Sequence, residues 1–319
     1  MDKLLEKLVG AFKVSSHEKE VRTIIKEELK DIKGEIIEDK LGNLIVKVGS
    51  GKEKIMISTA MDETGLIVTF IDEDGFVRVD AIGDINPEAI INKKVVLNNG
   101  TLGIVCSTKE KPTMGDLFID FGVDSREEVL KIVSEGDPVK IQGEVFELCK
   151  DKIAGAGLSN ISLVYTLINL LKENMDFNKE VNFVFSAQGK LEGRGGRAAA
   201  YEVKPDYTIV LSTEESGDYI DGSSKLELGK GPVLVIKDKN LILSHELEEI
   251  VEKASKKSKI DIQRVVSKDG TEGGPIHKEL GGIRTGVLSL PIRYKNSFLE
   301  VVSKSDIESM KSLLKNIIE

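Results

Sequence analysis

Ile55-Met-Ile-Ser-Thr-Ala-Met-Asp-Glu-Thr-Gly-Leu-Ile-Val68 is a short apolar run that ends in two adjacent acids, Asp62 and Glu63, before Gly65 opens a second apolar run. This texture describes a buried strand with a polar end, then a turn into another strand. Open α/β sheets bind ligands beyond the carboxyl ends of their strands, so the acidic pair stands where a metal ligand or an acid/base group would sit. Neighbours on a strand point to opposite faces, which argues against Asp62 and Glu63 acting together on one substrate atom.

Upstream, residues 2–9 carry Leu and Val at helical spacing, and Ser15-Ser-His-Glu-Lys-Glu20 reads as an N-cap opening a helix to about Lys30. Ile36-Ile-Glu-Asp39 and Leu44-Ile-Val-Lys-Val48, joined through Leu41-Gly-Asn43, read as a β-hairpin. Downstream, from about Leu66 to Cys149, short β-prone runs alternate with Gly, Asn, Asp and Pro turns. Val145–Leu148 is the last of them, and Ser125–Val133 forms a single capped helix. Such a succession suggests a small antiparallel barrel or sandwich. From Lys152 onward strands and helices alternate, with Leu158–Lys172 apolar on nearly all sides, which implies a mostly parallel sheet covered on both faces. The expected architecture is therefore α/β. Residues 1–65 and 151–319 build one discontinuous domain, and residues 66–150 form an inserted β-barrel domain.

The 319 residues are 40% hydrophobic and 31% charged, with a net charge of -9 and both signs interspersed. This balance disfavours nucleic acid or an anionic membrane as partner. No apolar run reaches the ~20 residues of a membrane span. Cys106 and Cys149 make no disulfide framework and fit a reducing interior. Met1-Asp-Lys-Leu-Leu-Glu-Lys7 is amphipathic and unlike a signal peptide, so the expected location is the cytoplasm.

Several phrases in order carry a resemblance. They are Asp39-Lys-Leu-Gly-Asn-Leu-Ile45, Met61-Asp-Glu-Thr-Gly-Leu-Ile-Val68, Arg194-Gly-Gly-Arg-Ala-Ala-Ala-Tyr-Glu-Val-Lys-Pro-Asp206, Asp269-Gly-Thr-Glu-Gly-Gly-Pro-Ile-His277, Gly282–Tyr294 and Glu300-Val-Val. Together they resemble the tetrahedral-aminopeptidase family of dinuclear zinc or cobalt metallopeptidases, which includes glutamyl and deblocking aminopeptidases and proteins named CelM-type endoglucanases. The resemblance spans nearly the whole chain. It implies a peptidase-type α/β core, an inserted β-barrel, two zinc or cobalt ions, and assembly into dimers or dodecamers.

The same resemblance places every ligand position on a changed residue. The first ligand His falls on Ala60 and the metal-bridging Asp on Ser159, beside Asn160. The base and ligand of the Glu-Glu pair fall on Gly189 and Lys190, the next ligand Asp on Ser212 and the final His on Asn296. A two-metal hydrolase needs about five N/O ligands and a carboxylate base. Alanine and glycine donate nothing, and serine and asparagine bind zinc poorly. Lys190 would repel a divalent ion, and its ammonium is expected to pair with Asp62 or Glu63 in place of the lost metal charge. In the family, the residue at Asp62 orients the ligand His. Here Asp62 and Glu63 are expected to be paired rather than catalytic, and no metal or cofactor is expected.

Other candidates read as structural. His17 is expected to be exposed beside a cap, and His245 with Glu249 to be a solvated pair on a Lys/Glu-rich helix. His277 is expected to make a structural hydrogen bond, and Gly193–Arg197 to form a loop before a helix rather than an anion site. Cys106 and Cys149 read as packing residues. Asp269–Gly274 reads as a glycine-dependent turn beside the cleft. The reading is a catalytically inactive family member with a binding or assembly role: a homo-oligomer, or a hetero-oligomer with an active paralogue, holding a peptide or small molecule. The alternative is a hydrolase with residual or altered activity.

Overall fold

The two apolar runs around Asp62-Glu63 become strands of two different sheets, so the acidic pair lies at the junction between them. The computed structural model describes residues 1–175 and 177–319. Helices α1 (Lys3–Gly10) and α2 (Lys19–Glu28) precede the hairpin of β1 (Glu35–Glu38) and β2 (Leu44–Val48), and β3 (Lys54–Ala60) leads to the acids. A closed barrel follows. It is built from β4 (Gly65–Ile71), β5 (Val77–Ile82), β6 (Lys94–Leu97), β7 (Leu102–Ser107), β8 (Leu117–Asp120) and β9 (Pro138–Ile141), with the short helices α3 (Pro87–Ile90) and α4 (Arg126–Val129) in its connections. The barrel has its own core, including Leu66, Val77, Val95, Val105, Ile119 and Val139.

The rest of the chain is β10 (Val145–Leu148), β11 (Lys152–Gly155), α5 (Leu158–Leu171), β12 (Glu180–Ser186), α6 (Arg194–Val203), β13 (Tyr207–Glu215) and β14 (Val233–Lys237). It continues through α7 (His245–Ser258), β15 (Gln263–Val266), α8 (Gly273–His277), β16 (Arg284–Ile292), β17 (Glu300–Ser303) and α9 (Lys304–Ile318). Among the described residues eight strands form one sheet in the order β1-β2-β12-β3-β13-β16-β14-β15. Strands β12, β3, β13 and β16 run parallel through its centre, whereas β2 and β14 join them antiparallel. Central parallel strands need both faces covered. Helix α5 covers one face with α1, α7 and α9, which explains its nearly continuous apolar sequence. Helices α6 and α8 cover the other. No helix among the described residues is long and apolar enough to cross a membrane.

One expectation changes. Val145–Leu148 pairs with β11, and β11 with β17, in a separate three-stranded sheet. The barrel closes without it, because β9 already pairs with both β4 and β6.

The Gly-Asn of the hairpin turn has a long-range role. Buried Asn43 accepts the Ala187 amide at 2.8 Å and donates to the Asp39 carboxylate at 2.6 Å and the Gly195 carbonyl at 3.0 Å. Helix α6 approaches so closely that a Cβ on Gly195 would lie 2.1 Å from the Ala187 carbonyl oxygen and 2.3 Å from Asn43 Oδ1. Gly195→Ala is therefore expected to destabilise the protein by about 1–3 kcal/mol through overpacking, seen as a lower urea midpoint with an unchanged slope.

Candidate functional site

Beyond β3 the chain buries Met61 and then Asp62, which has no exposed surface. A buried carboxylate must have its lone pairs satisfied, and three donors supply this. Oδ1 accepts the Gly189 amide at 3.0 Å; Oδ2 accepts the Lys190 amide at 2.9 Å and the Ser15 hydroxyl in a short contact. The main-chain carbonyl of Asp62 takes Asn160 Nδ2 at 2.6 Å. Burial outweighs the stabilising donors and the Lys190 charge, and pushes the Asp62 carboxyl up to about 6. Glu63 turns the opposite way, with Oε2 2.9 Å from Lys13 Nζ and Oε1 3.8 Å from Lys140 Nζ.

A third acid completes the site. Glu300, 1% exposed at the start of β17, accepts the Ser159 amide at 2.8 Å and the Asn296 amide at 3.0 Å. Burial raises its pKa, opposed by the Ser159 amide and the Lys190 charge. These groups line a small pocket that opens between the barrel and the α/β core. Its walls include Asp62, Glu63, Asp84, Lys190, Asn296 and Glu300.

The structure brings Ser159, Asn160, Lys190 and Asn296 to this pocket together with Asp62 and Glu63. Ala60 and Gly189 pack beneath it, and a Cβ on Gly189 would sit 2.4 Å from the Ala60 Cβ and 2.8 Å from Asp62 Oδ1. Ser212 is not in the pocket wall; it lies on β13 beside Ser289 of β16, on the sheet face that carries Ser58 and Ser186. The expected ammonium–acid pair is corrected. Lys190 meets Asp62 through its main-chain amide, and among the described residues its ammonium forms no ion pair, although its charge acts on both Asp62 and Glu300. Glu63 takes Lys13 and Lys140 instead, two lysines that spacing in the chain does not connect with it. Among the described residues no three His, Cys, Asp or Glu side chains converge as a metal ion requires.

Sequence reasoning missed Glu300 and Glu272 as members of this network. Glu272 accepts hydrogen bonds from Ser58 at 2.5 Å and Ser186 at 2.8 Å, and its carboxyl is raised by burial and by the nearby Asp62. Both lie inside phrases already singled out, Glu300-Val-Val and Asp269–Gly274. For Glu300 the apolar neighbours Leu299 and Val301 were the available signal; Glu272, between Thr271 and Gly273, carried none. The remaining candidates fall as read: His17 is exposed, His245 and Glu249 form a solvent-facing pair at 3.3 Å, and His277 Nδ1 lies 2.9 Å from the Ile283 carbonyl. Gly193 starts α6 at φ 67° and Arg197 pairs with Glu279, a helix entry rather than an anion site. Cys106 is half-buried in the barrel wall, but Cys149 is exposed and packs no core.

The architecture, a barrel beside a sheet whose strand ends carry the pocket, is that of solved aminopeptidases. Aminopeptidase APDkam598 from the archaeon Desulfurococcus kamchatkensis matches with a TM-score of 0.94 at 29% identity, covering 99% of this chain and 94% of its own. The Pyrococcus horikoshii TET1 peptidase, which can assemble into a tetrahedron or a large octahedral shell, matches with a TM-score of 0.89 at 27% identity over 99% of this chain and 98% of its own. A putative aminopeptidase of Acetivibrio thermocellus is 36% identical over 98% of this chain and 96% of its length. Residues 42–313 match the M42 glutamyl aminopeptidase family, and the chain belongs to it.

The raised pKa of Asp62 gives a pH dependence of defined sign. Folded Asp62 holds its proton more tightly than the unfolded chain, so its contribution to stability is complete below the ordinary 3.8 and lost as pH rises through about 6. The loss amounts to about 3 kcal/mol. Other buried acids titrate too, so the comparison is with Asp62→Asn: urea unfolding at pH 4 and 6.5 is expected to show the wild type losing about 2 kcal/mol more than the variant, because part of the effect is already spent at pH 4. An equal loss in both would remove the assignment.

Proposed function

We propose that this chain is an aminopeptidase-family protein that does not run the two-metal peptidase reaction, and that it acts as a cytoplasmic binding subunit of a homo-oligomer with the pocket as its ligand site. One observation carries the reading. Four of the positions where the resemblance places metal ligands or the base, residues 159, 189, 190 and 296, direct main-chain N–H groups at Asp62 and Glu300. Carboxylate lone pairs engaged by amides are not available to a cation, and the partial positive charge of those amides opposes one. The side chains at these positions add no strong donor, and Lys190 adds a positive charge. The residues present therefore do not fit two zinc or cobalt ions.

What the pocket offers a ligand is mixed polarity. Asp84, Lys190, Asn296 and Ser297 line it with polar groups, and Ile141 and Phe298 with apolar ones. A peptide or small polar molecule matches that lining. The alternative, a hydrolase with residual or altered chemistry, is favoured by one observation: Asp62 and Glu300 line the same pocket and burial raises both, the condition for acid/base work near neutrality.

The two readings separate on a panel of aminoacyl-p-nitroanilides, assayed as purified, with added zinc or cobalt, and after chelation. The expected result is no metal-dependent turnover and no stoichiometric zinc or cobalt by elemental analysis. Turnover lost on chelation, or two ions bound per chain, would overturn the proposal. Native mass spectrometry of the purified chain is expected to give a homo-oligomer. A monomer at micromolar concentration, or co-purification with an active paralogue in fixed ratio, counts against the homo-oligomeric part.

A further inference from the structure

Two lysines occupy the interior on the side of Glu63 that faces away from Asp62. Lys13 is fully buried, and Lys140, on β9 of the barrel, is 3% exposed. A buried ammonium is costly unless its donors are met, and here they are. Lys140 Nζ donates to the carbonyls of Val9 at 2.9 Å, Gly10 at 2.6 Å and Ala11 at 2.6 Å. Lys13 Nζ donates to Val9 at 3.0 Å, to Ala11 at 3.4 Å and to Glu63 Oε2 at 2.9 Å. These carbonyls close α1, where the helix dipole concentrates partial negative charge.

The cluster is short of negative charge. It holds two ammonium groups and a single contacting carboxylate, with Glu20 further off, its carboxylate accepting the Phe12 amide at 2.8 Å. Burial and the neighbouring Lys13 charge push Lys140 down to about 8, while Glu63 and Glu20 oppose the shift. Among the described residues Glu63 Oε1 has no hydrogen-bond partner, and Lys140 Nζ lies 3.8 Å from it. The main chain ties the same pieces together: the Glu63 amide donates to the Lys13 carbonyl at 2.9 Å and the Ser15 amide to the Glu63 carbonyl at 3.3 Å. On the pocket side, a Cβ on Gly157, which caps α5, would lie 3.0 Å from Glu63 Oε2.

We propose that Lys13, Glu63 and Lys140 form a charge lock that holds the barrel against the α/β core and fixes the width of the pocket between them. Lys140 belongs to the barrel, Lys13 and the α1 carbonyls to the core, and Glu63 is the carboxylate between them. Glu63 and Ile141, next to Lys140, both line the pocket. Any movement of β9 relative to α1 therefore moves a pocket wall. The lock operates whether the pocket binds or hydrolyses its ligand, so it stands apart from the functional reading.

Hydrogen exchange of the full chain, followed by mass spectrometry on the wild type, Lys140→Met, Glu63→Gln and the double variant, tests it. Each single variant is expected to raise exchange about tenfold in the peptide spanning residues 156–161, at the pocket wall. The double variant is expected to raise it by much less than the product, because the two groups act on each other. A multiplicative double variant, or faster exchange confined to residues 9–11 and 139–141, would overturn the lock. If Lys140→Met does not fold, Lys13→Met paired with Glu63→Gln gives the same comparison, with the same outcome overturning it.

Discussion

The carboxylate of Asp62 has no exposed surface, and much of the local architecture follows from the need to satisfy it. Leaving such a group unpaired costs several kcal/mol. The chain meets it with the Ser15 hydroxyl and two consecutive amides from the loop after β12. These bonds hold three segments distant in sequence at fixed separation: the chain before α2, the end of β3 and the turn between β12 and α6. Glu300 repeats the arrangement across the pocket, joining the first turn of α5 to the loop before β17 through two further amides. Glu272 does so with hydroxyls, linking α8 to Ser58 and Ser186. The buried acids Asp62 and Glu300 and the partly buried Glu272 thus organise these loops. In each case burial raises the acid's pKa while hydrogen-bond donors lower it.

Adjacent acids with opposite duties show how strand geometry distributes work. Asp62 faces the core loop and Glu63 faces the barrel, as alternation along an extended chain requires. The side chain that meets the loop gathers amides and the one that meets the barrel gathers ammonium groups. The pocket between them is bounded by two electrostatic environments that share one peptide bond.

Most of the fold was legible because it rests on period and punctuation. The apolar runs at Ile55–Ser58, Val181–Phe185 and Tyr207–Leu211 became central parallel strands, and the all-round apolar Leu158–Leu171 became a buried helix. Val145–Leu148 was misplaced because a short β-prone run carries no information about its partner; only the closure of the barrel between β4, β6 and β9 excludes it. At the site, the resemblance pointed to positions of which 159, 160, 190 and 296 line one pocket and 212 does not, and it did not tell what they do there. The functional groups at 159, 189, 190 and 296 are main-chain amides, which every residue but proline possesses, so side-chain identity cannot announce them. Lys13 and Lys140 lie 127 residues apart and meet at carbonyls at the end of α1, a pairing set by tertiary packing alone.

The absence of a side chain at position 189 limits what this loop can accept. A Cβ there would press on both Ala60 and Asp62, so a carboxylate introduced at 189 alone cannot enter this loop conformation. The loop would first have to withdraw the Gly189 and Lys190 amides from Asp62. The backbone at 189 thus serves the buried acid only while it stays bare, a coupling between loop shape and carboxylate satisfaction set by contacts of 2.4 and 2.8 Å.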